Sequence, residues 1–155
     1  MERAAARASR VAVLTRPAGR NEALADRLRA AGWTPCVLPA LAIHALPVAA
    51  DDLPRPADHD MVVFVSGNAA RQYLDQLARI GACTAWPRQV VVATVGPASA
   101  AGLREMPGFG ANTTVLHPGD EAASHDSEAL WEVLRGLPRL PARVLLVRGT
   151  QGRDW

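Results

Sequence analysis

Residues 61–80, MVVFVSGNAARQYLDQLARI, decide the fold. The first five are almost wholly apolar and rich in β-branched side chains, the composition of a strand buried on both faces. Ser66-Gly67-Asn68 then turns the chain. Ala70, Tyr73, Leu74, Leu77 and Ile80 follow at three- and four-residue spacing, the stripe of an amphipathic helix. Gly81 stands where helices commonly stop. A buried strand, a tight polar turn and a helix make the first half of a βαβ unit. The helix opens at the strand's carboxyl end with unpaired backbone N–H groups, a place that attracts anions.

The same grammar recurs on both sides of this stretch. Val11–Leu14 reads as a short apolar strand closed by Thr15-Arg16-Pro17. Asn21 is placed to cap a helix with Ala23, Leu24, Arg27, Leu28 and Ala31 on one face, and Gly32 ends it. Residues 34–38 form a second strand. Four prolines, Pro39, Pro47, Pro54 and Pro56, then mark a crossover segment and a candidate domain boundary. Downstream, residues 90–95 (VVVATV) are predicted as a buried strand running into Gly96-Pro97-Ala98-Ser99, with Pro97 at the start of a helix. Residues 113–116 give a short strand. Asp126 or Ser127 caps a helix with Leu130, Val133, Leu134 and Leu137 inward, and Val144–Val147 is a strand ending in Arg148-Gly149-Thr150. Strands and helices alternate throughout, which predicts an α/β fold with parallel sheet. Residues 148–155 read as a turn and the opening of a helix that is not completed, so the chain is expected to be truncated.

Composition narrows the function. The 155 residues are 49% hydrophobic and 21% charged, as in an ordinary globular domain. A net charge of +2 gives no argument for nucleic acid. Every basic residue among the 17 is Arg, which removes Schiff-base and P-loop lysine chemistry. Cys36 and Cys83 have no metal spacing and read as buried reduced thiols of a cytosolic protein. The N-terminus lacks the apolar core of a secretory signal, and prolines and His44 interrupt the most apolar long stretch, so no membrane span is expected.

Three turns, Ser66-Gly67-Asn68, Gly96-Pro97-Ala98-Ser99 and Arg148-Gly149-Thr150, are expected at the carboxyl ends of buried strands, the edge where open α/β sheets bind ligands. With Arg16 beside the same kind of edge, they favour a ligand rich in anions. None is a GxGxxG or Walker sequence, so nucleotide binding gains no support. Ser66 lacks a G-x-S-x-G elbow, which argues against a hydrolase. His117, Asp120, His125 and Asp126 match no strong metal motif and read as a polar loop; His44 and His59 read as solvated or locally bonded. Trp33, Trp86 and Trp131 read as packing residues.

With their flanks, these pieces resemble the uroporphyrinogen-III synthase family. The matching stretches are VAVLTRP with Asn21, LPALAI from Leu38, VFVSGNA from Val63, VGPASA from Val95, DSEAL from Asp126, and Val147-Arg148-Gly149 with GRDW from Gly152. Gly67 departs from the family, which usually carries Pro there. The resemblance implies two flavodoxin-like parallel-sheet domains joined by a pair of crossover segments. Residues 1–40 would then be the opening βαβ of domain one, 41–56 the outgoing crossover and 57–155 most of domain two. It also implies a lyase of haem biosynthesis that cyclises hydroxymethylbilane to uroporphyrinogen III with inversion of the terminal ring. No metal or organic cofactor, nucleic acid or membrane is implied, and the setting is a cytoplasmic monomer. Catalytic residues are not assigned. The substrate-binding residues carried over are Thr15, Arg16, Ser66, Gly67, Asn68, Gly96, Pro97, Ser99, Arg148 and Gly149. A 155-residue portion is expected to be inactive or nearly so. The alternatives are a flavodoxin-like anion- or nucleotide-binding module without catalysis, and a synthase domain serving as a fusion or regulatory partner.

Overall fold

A computed structural model describes residues 10–82, 85–110 and 113–150. Contacts divide the chain into two compact units, one ending at Ala45 and the other beginning at Leu46. In the first, β1 (Val11–Leu14) and β2 (Thr34–Val37) pair in parallel, joined by α1 (Glu22–Ala30). Val11 and Val13 are exposed while Leu14 and Ala25 are buried, so this small sheet hides one face. Ala25, rather than Ala23 or Leu24, is the buried residue of α1. Cys36 is exposed, against the expectation of a buried thiol, because β2 has little packed over it; Cys83 lies outside the described residues. Arg10 stacks 5.7 Å over the Trp33 ring.

The second unit is built on β3 (Met61–Phe64), whose four residues are all buried. Four parallel strands run in the order β5-β4-β3-β6, where β4 is Val91–Thr94, β5 Val115–Leu116 and β6 Val144–Val147. Crossovers in parallel sheets are right-handed, so the direction of each step chooses the face its helix covers. Helices α2 (Gly67–Arg79) and α3 (Pro97–Arg104) step outward from β3 to β5. The return from β5 to β6 carries α4 (Ser127–Arg135) over the opposite face.

Alternation along β3 feeds both layers. Val62 and Phe64 join Ala70, Tyr73, Leu77 and Leu103 in the larger core, while Met61 and Val63 meet Ala93 and Leu130 in the smaller one. An aromatic chain closes the larger core: Phe64 lies 5.9 Å from Tyr73 and 6.1 Å from Trp86, which lies 5.3 Å from Phe109. Leu53 belongs to this core, and the Tyr73 hydroxyl donates to the Pro54 carbonyl at 2.7 Å. These contacts seat Leu53 and Pro54 against the core of the second unit.

The α4 side is less filled. Trp131 is 52% exposed instead of packed. It borders an apolar groove of about 470 Å³ lined also by Val63, Val65, Leu134 and Leu146. Correspondingly, β6 is an edge strand with Val144 and Leu146 exposed, so only two of the three site turns follow strands buried throughout most of their length. Among the described residues no helix is long and apolar enough to cross a membrane.

Asp60 fixes the entry to β6. Its Oδ2 accepts from the backbone N–H groups of Arg143 at 2.9 Å and Ala142 at 3.0 Å, and its own N–H donates to the Arg143 carbonyl at 2.9 Å. The Arg143 and Ala142 amides, with the Arg143 guanidinium, hold the Asp60 carboxyl below the ordinary value of 3.8. A carboxyl depressed in the folded state stabilises fully above 3.8, and that contribution fades as pH falls through the native value. Asp60→Asn is therefore expected to lower Tm at neutral pH, with the gap to wild type closing below pH 3.8. Thermal melts across that range check it, and a gap independent of pH refutes it.

Candidate functional site

Because β3, β4 and β6 are parallel, the turns that follow them share one edge of the sheet. The register sets Phe64 level with Thr94 on one side and with Val147 on the other, so all three turns begin at the same height. The Val65 N–H donates to the Val147 carbonyl at 3.3 Å, which ties the Ser66 turn to the Arg148 turn.

Ser66 is the N-cap of α2. Its backbone is extended, and its Oγ accepts from the Ala69 N–H at 3.1 Å. Small residues here leave the first turn open: Gly67 and Asn68 occupy its first two positions and are half-buried. The Ser66 hydroxyl proton is free to be donated outward, and among the described residues no His or carboxylate is bonded to that oxygen. Among the described residues, then, Ser66 has no bonded base of the kind a nucleophile needs.

Gly96 caps α3 with Pro97 in the first position, as the sequence predicts. The Gly96 carbonyl accepts from Thr94 Oγ1 at 3.1 Å and from the Ser99 and Ala100 N–H groups at 3.2 Å. Thr94 is buried, so its hydroxyl spends its one proton on the turn. Ser99 is half-buried in the first turn of α3.

Sequence reasoning missed why position 96 is glycine. Its φ of −172° suits any residue. A Cβ there would stand 3.1 Å from Cβ of His125 and 3.5 Å from its Cγ. The loop ahead of α4 lies against this turn, and a side chain at position 96 would have to displace His125 by a few tenths of an ångström. No local pattern could reveal that approach, since the two residues are remote in sequence.

His117, His125 and Asp126 of that loop have local partners. His125 Nε2 bonds the Gly119 carbonyl at 3.1 Å, and His117 Nδ1 bonds the Pro118 carbonyl at 2.7 Å. Asp126 caps α4 through the Ala129 N–H at 2.9 Å. Among the described residues no group of three or more His, Cys, Asp or Glu is placed to hold a metal. His59 Nδ1 likewise bonds the Arg55 carbonyl at 2.8 Å.

Arg148 and Gly149 are exposed at the end of β6, within reach of the edge that the other two turns occupy. Thr15 and Arg16 end β1 in the first unit and are exposed as well.

The family model for "Uroporphyrinogen-III synthase HemD" matches residues 22–155. The chain belongs to the uroporphyrinogen-III synthase family. The matched span holds all three turns of the second unit and begins just after the Thr15-Arg16-Pro17 turn. A uroporphyrinogen-III synthase of Salmonella typhimurium is 32% identical over 149 residues, covering 92% of this chain and 55% of the Salmonella protein. A crystal structure of uroporphyrinogen III synthase from the extremely thermophilic bacterium Thermus thermophilus is 22% identical, with a TM-score of 0.44 over 94% of this chain and 54% of the other. This synthase-family chain thus spans about half the length of the curated relative it matches.

Gly96→Ala is expected to cost roughly 1–3 kcal/mol, the range of overpacking in a close-fitted site. Urea unfolding measures the loss. Because His125 supplies the obstructing atoms, His125→Gly should restore most of it in the double variant, and strictly additive losses would refute the contact.

Proposed function

We propose that this chain supplies part of the substrate-holding site for the uroporphyrinogen-III synthase reaction. Hydroxymethylbilane, a linear tetrapyrrole, is closed to uroporphyrinogen III with loss of water and inversion of its terminal pyrrole ring. One observation carries the reading. Three turns of the family's sequence stand at one height on a single sheet edge, and two of them open N-capped helices.

The substrate's side chains are acetates and propionates. The opening turn of α2, the Ala98 N–H of α3, the Ser66 and Ser99 hydroxyls and the Arg148 guanidinium offer such carboxylates complementary donors. Gly67 and Gly149 carry no side chain to crowd that backbone, and Asn68 and Pro97 border it. Thr15 and Arg16 provide a further turn of the same kind in the first unit. Several carboxylates held at once fold a linear substrate so that its ends meet, and catalysis then rests on positioning and electrostatic complementarity. On this reading no nucleophile, metal or organic cofactor is required, and Ser66 acts by binding. The working form is a cytoplasmic monomer with no nucleic-acid or membrane partner.

Calorimetric titration of the 155-residue chain with uroporphyrin I, which bears the same carboxylate side chains, tests the site. Binding is expected, and binding of nucleotide with none of uroporphyrin overturns the proposal. Ser66→Asp separates binding from folding. Asp caps a helix as well as Ser, so Tm should hold, while the added carboxylate should abolish uroporphyrin binding. Given hydroxymethylbilane, the 155-residue chain alone is expected to leave only the spontaneous type I isomer, and type III product above background refutes that expectation.

A further inference from the structure

Asn21 stands where the sequence calls for a helix cap, yet its side chain does not cap α1. It is fully buried, and its Nδ2 donates backward to the Arg16 carbonyl at 2.8 Å and the Pro17 carbonyl at 3.4 Å. The Asn21 backbone N–H is taken by Glu22 Oε2 at 3.0 Å. Asn21 Oδ1, the atom a cap would use, is buried without a partner among the described residues. An unpaired buried acceptor is unfavourable, so the side chain is oriented by what its amide donor holds.

The donor holds the turn after β1. The Thr15 carbonyl accepts from the Ala40 N–H at 3.0 Å, and the Pro17 carbonyl also accepts from the Arg20 N–H at 3.1 Å. The Arg16 and Pro17 carbonyls are thus both held by one side-chain amide. In a planar trans peptide the N–H that follows a carbonyl points the opposite way, so the Ala18 N–H faces away from this clamp, and Pro17 has no N–H. Arg16 and Ala18 are exposed. An N–H turned outward near a guanidinium offers an anion complementary donors.

We propose that Asn21 is a positioning residue, which by fixing the Arg16 and Pro17 carbonyls presents the Arg16 guanidinium and the Ala18 N–H to a carboxylate of the substrate. This rests on the functional reading above and adds a residue that touches no substrate itself.

Asp at position 21 discriminates the role. A cap needs only an acceptor, and Asp serves as well as Asn. A carbonyl clamp needs a donor, which an ionised Asp lacks. Asn21→Asp is expected to weaken uroporphyrin I binding by about tenfold, the scale of one lost hydrogen bond to the turn. Arg16→Ala should weaken it comparably, and the two together should cost little more than either, because Asn21 acts through Arg16. Wild-type affinity in Asn21→Asp overturns the proposal, as does a loss that adds in full to that of Arg16→Ala, the mark of general destabilisation. A wild-type chain that binds no uroporphyrin overturns the functional reading instead. The clamp is then decided on the free chain by the carbonyl carbon shift of Arg16, which must move in Asn21→Asp.

Discussion

The second unit depends on the complete burial of β3. Its four side chains, Met61 to Phe64, have no solvent face, and its backbone is bonded on both edges to β4 and β6. A central parallel strand can exist only if helices cover both faces, and right-handed crossovers deliver them there only when the chain steps out one way and returns the other. The excursion through β4 and β5 and the return to β6 satisfy that condition. The return brings Arg148 to the same edge as Ser66 and Gly96, so the site follows from covering β3 twice.

The elements around β3 were legible because their signals are local. A five-residue apolar run, a Ser N-cap and a stripe at helical spacing specify strand, turn and helix within twenty residues, and Ala70, Tyr73 and Leu77 are buried as the period requires. Asp126 and Pro97 marked their helix starts for the same reason. What escaped reading depends on distant partners. Trp131 is a large aromatic at an inward-looking position, and nothing within its helix tells that the facing part of the sheet leaves a groove. Cys36 lies in a strand whose neighbours are too few to bury it. Gly96 looks like a turn residue, and only the fold brings His125 upon it.

Asn21 is the instructive intermediate case. The residue type, its place before a helix and Glu22 after it all spell a cap, and α1 does begin there. Yet Asn carries a donor as well as an acceptor, and burial forces a choice between them. The acceptor would serve the helix; the donor serves the turn. Sequence marks the residue as significant and misses which of its two atoms is used, because that choice is set by carbonyls four and five residues upstream.

Asp60 plays the matching part at the far side of the second unit. Edge strands are prone to slip, and a shift of one residue would exchange the faces of Leu145 and Leu146. It would also move Arg148 away from the level of Val65 and the Ser66 turn. By accepting both the Ala142 and Arg143 amides, Asp60 binds a segment more than 80 residues distant at one register only. The exposed edge of β6 can then tolerate Val144 and Leu146 in water, because its alignment does not rest on burial alone. A carboxylate at the amino end of the sheet thereby determines which groups meet at the carboxyl end.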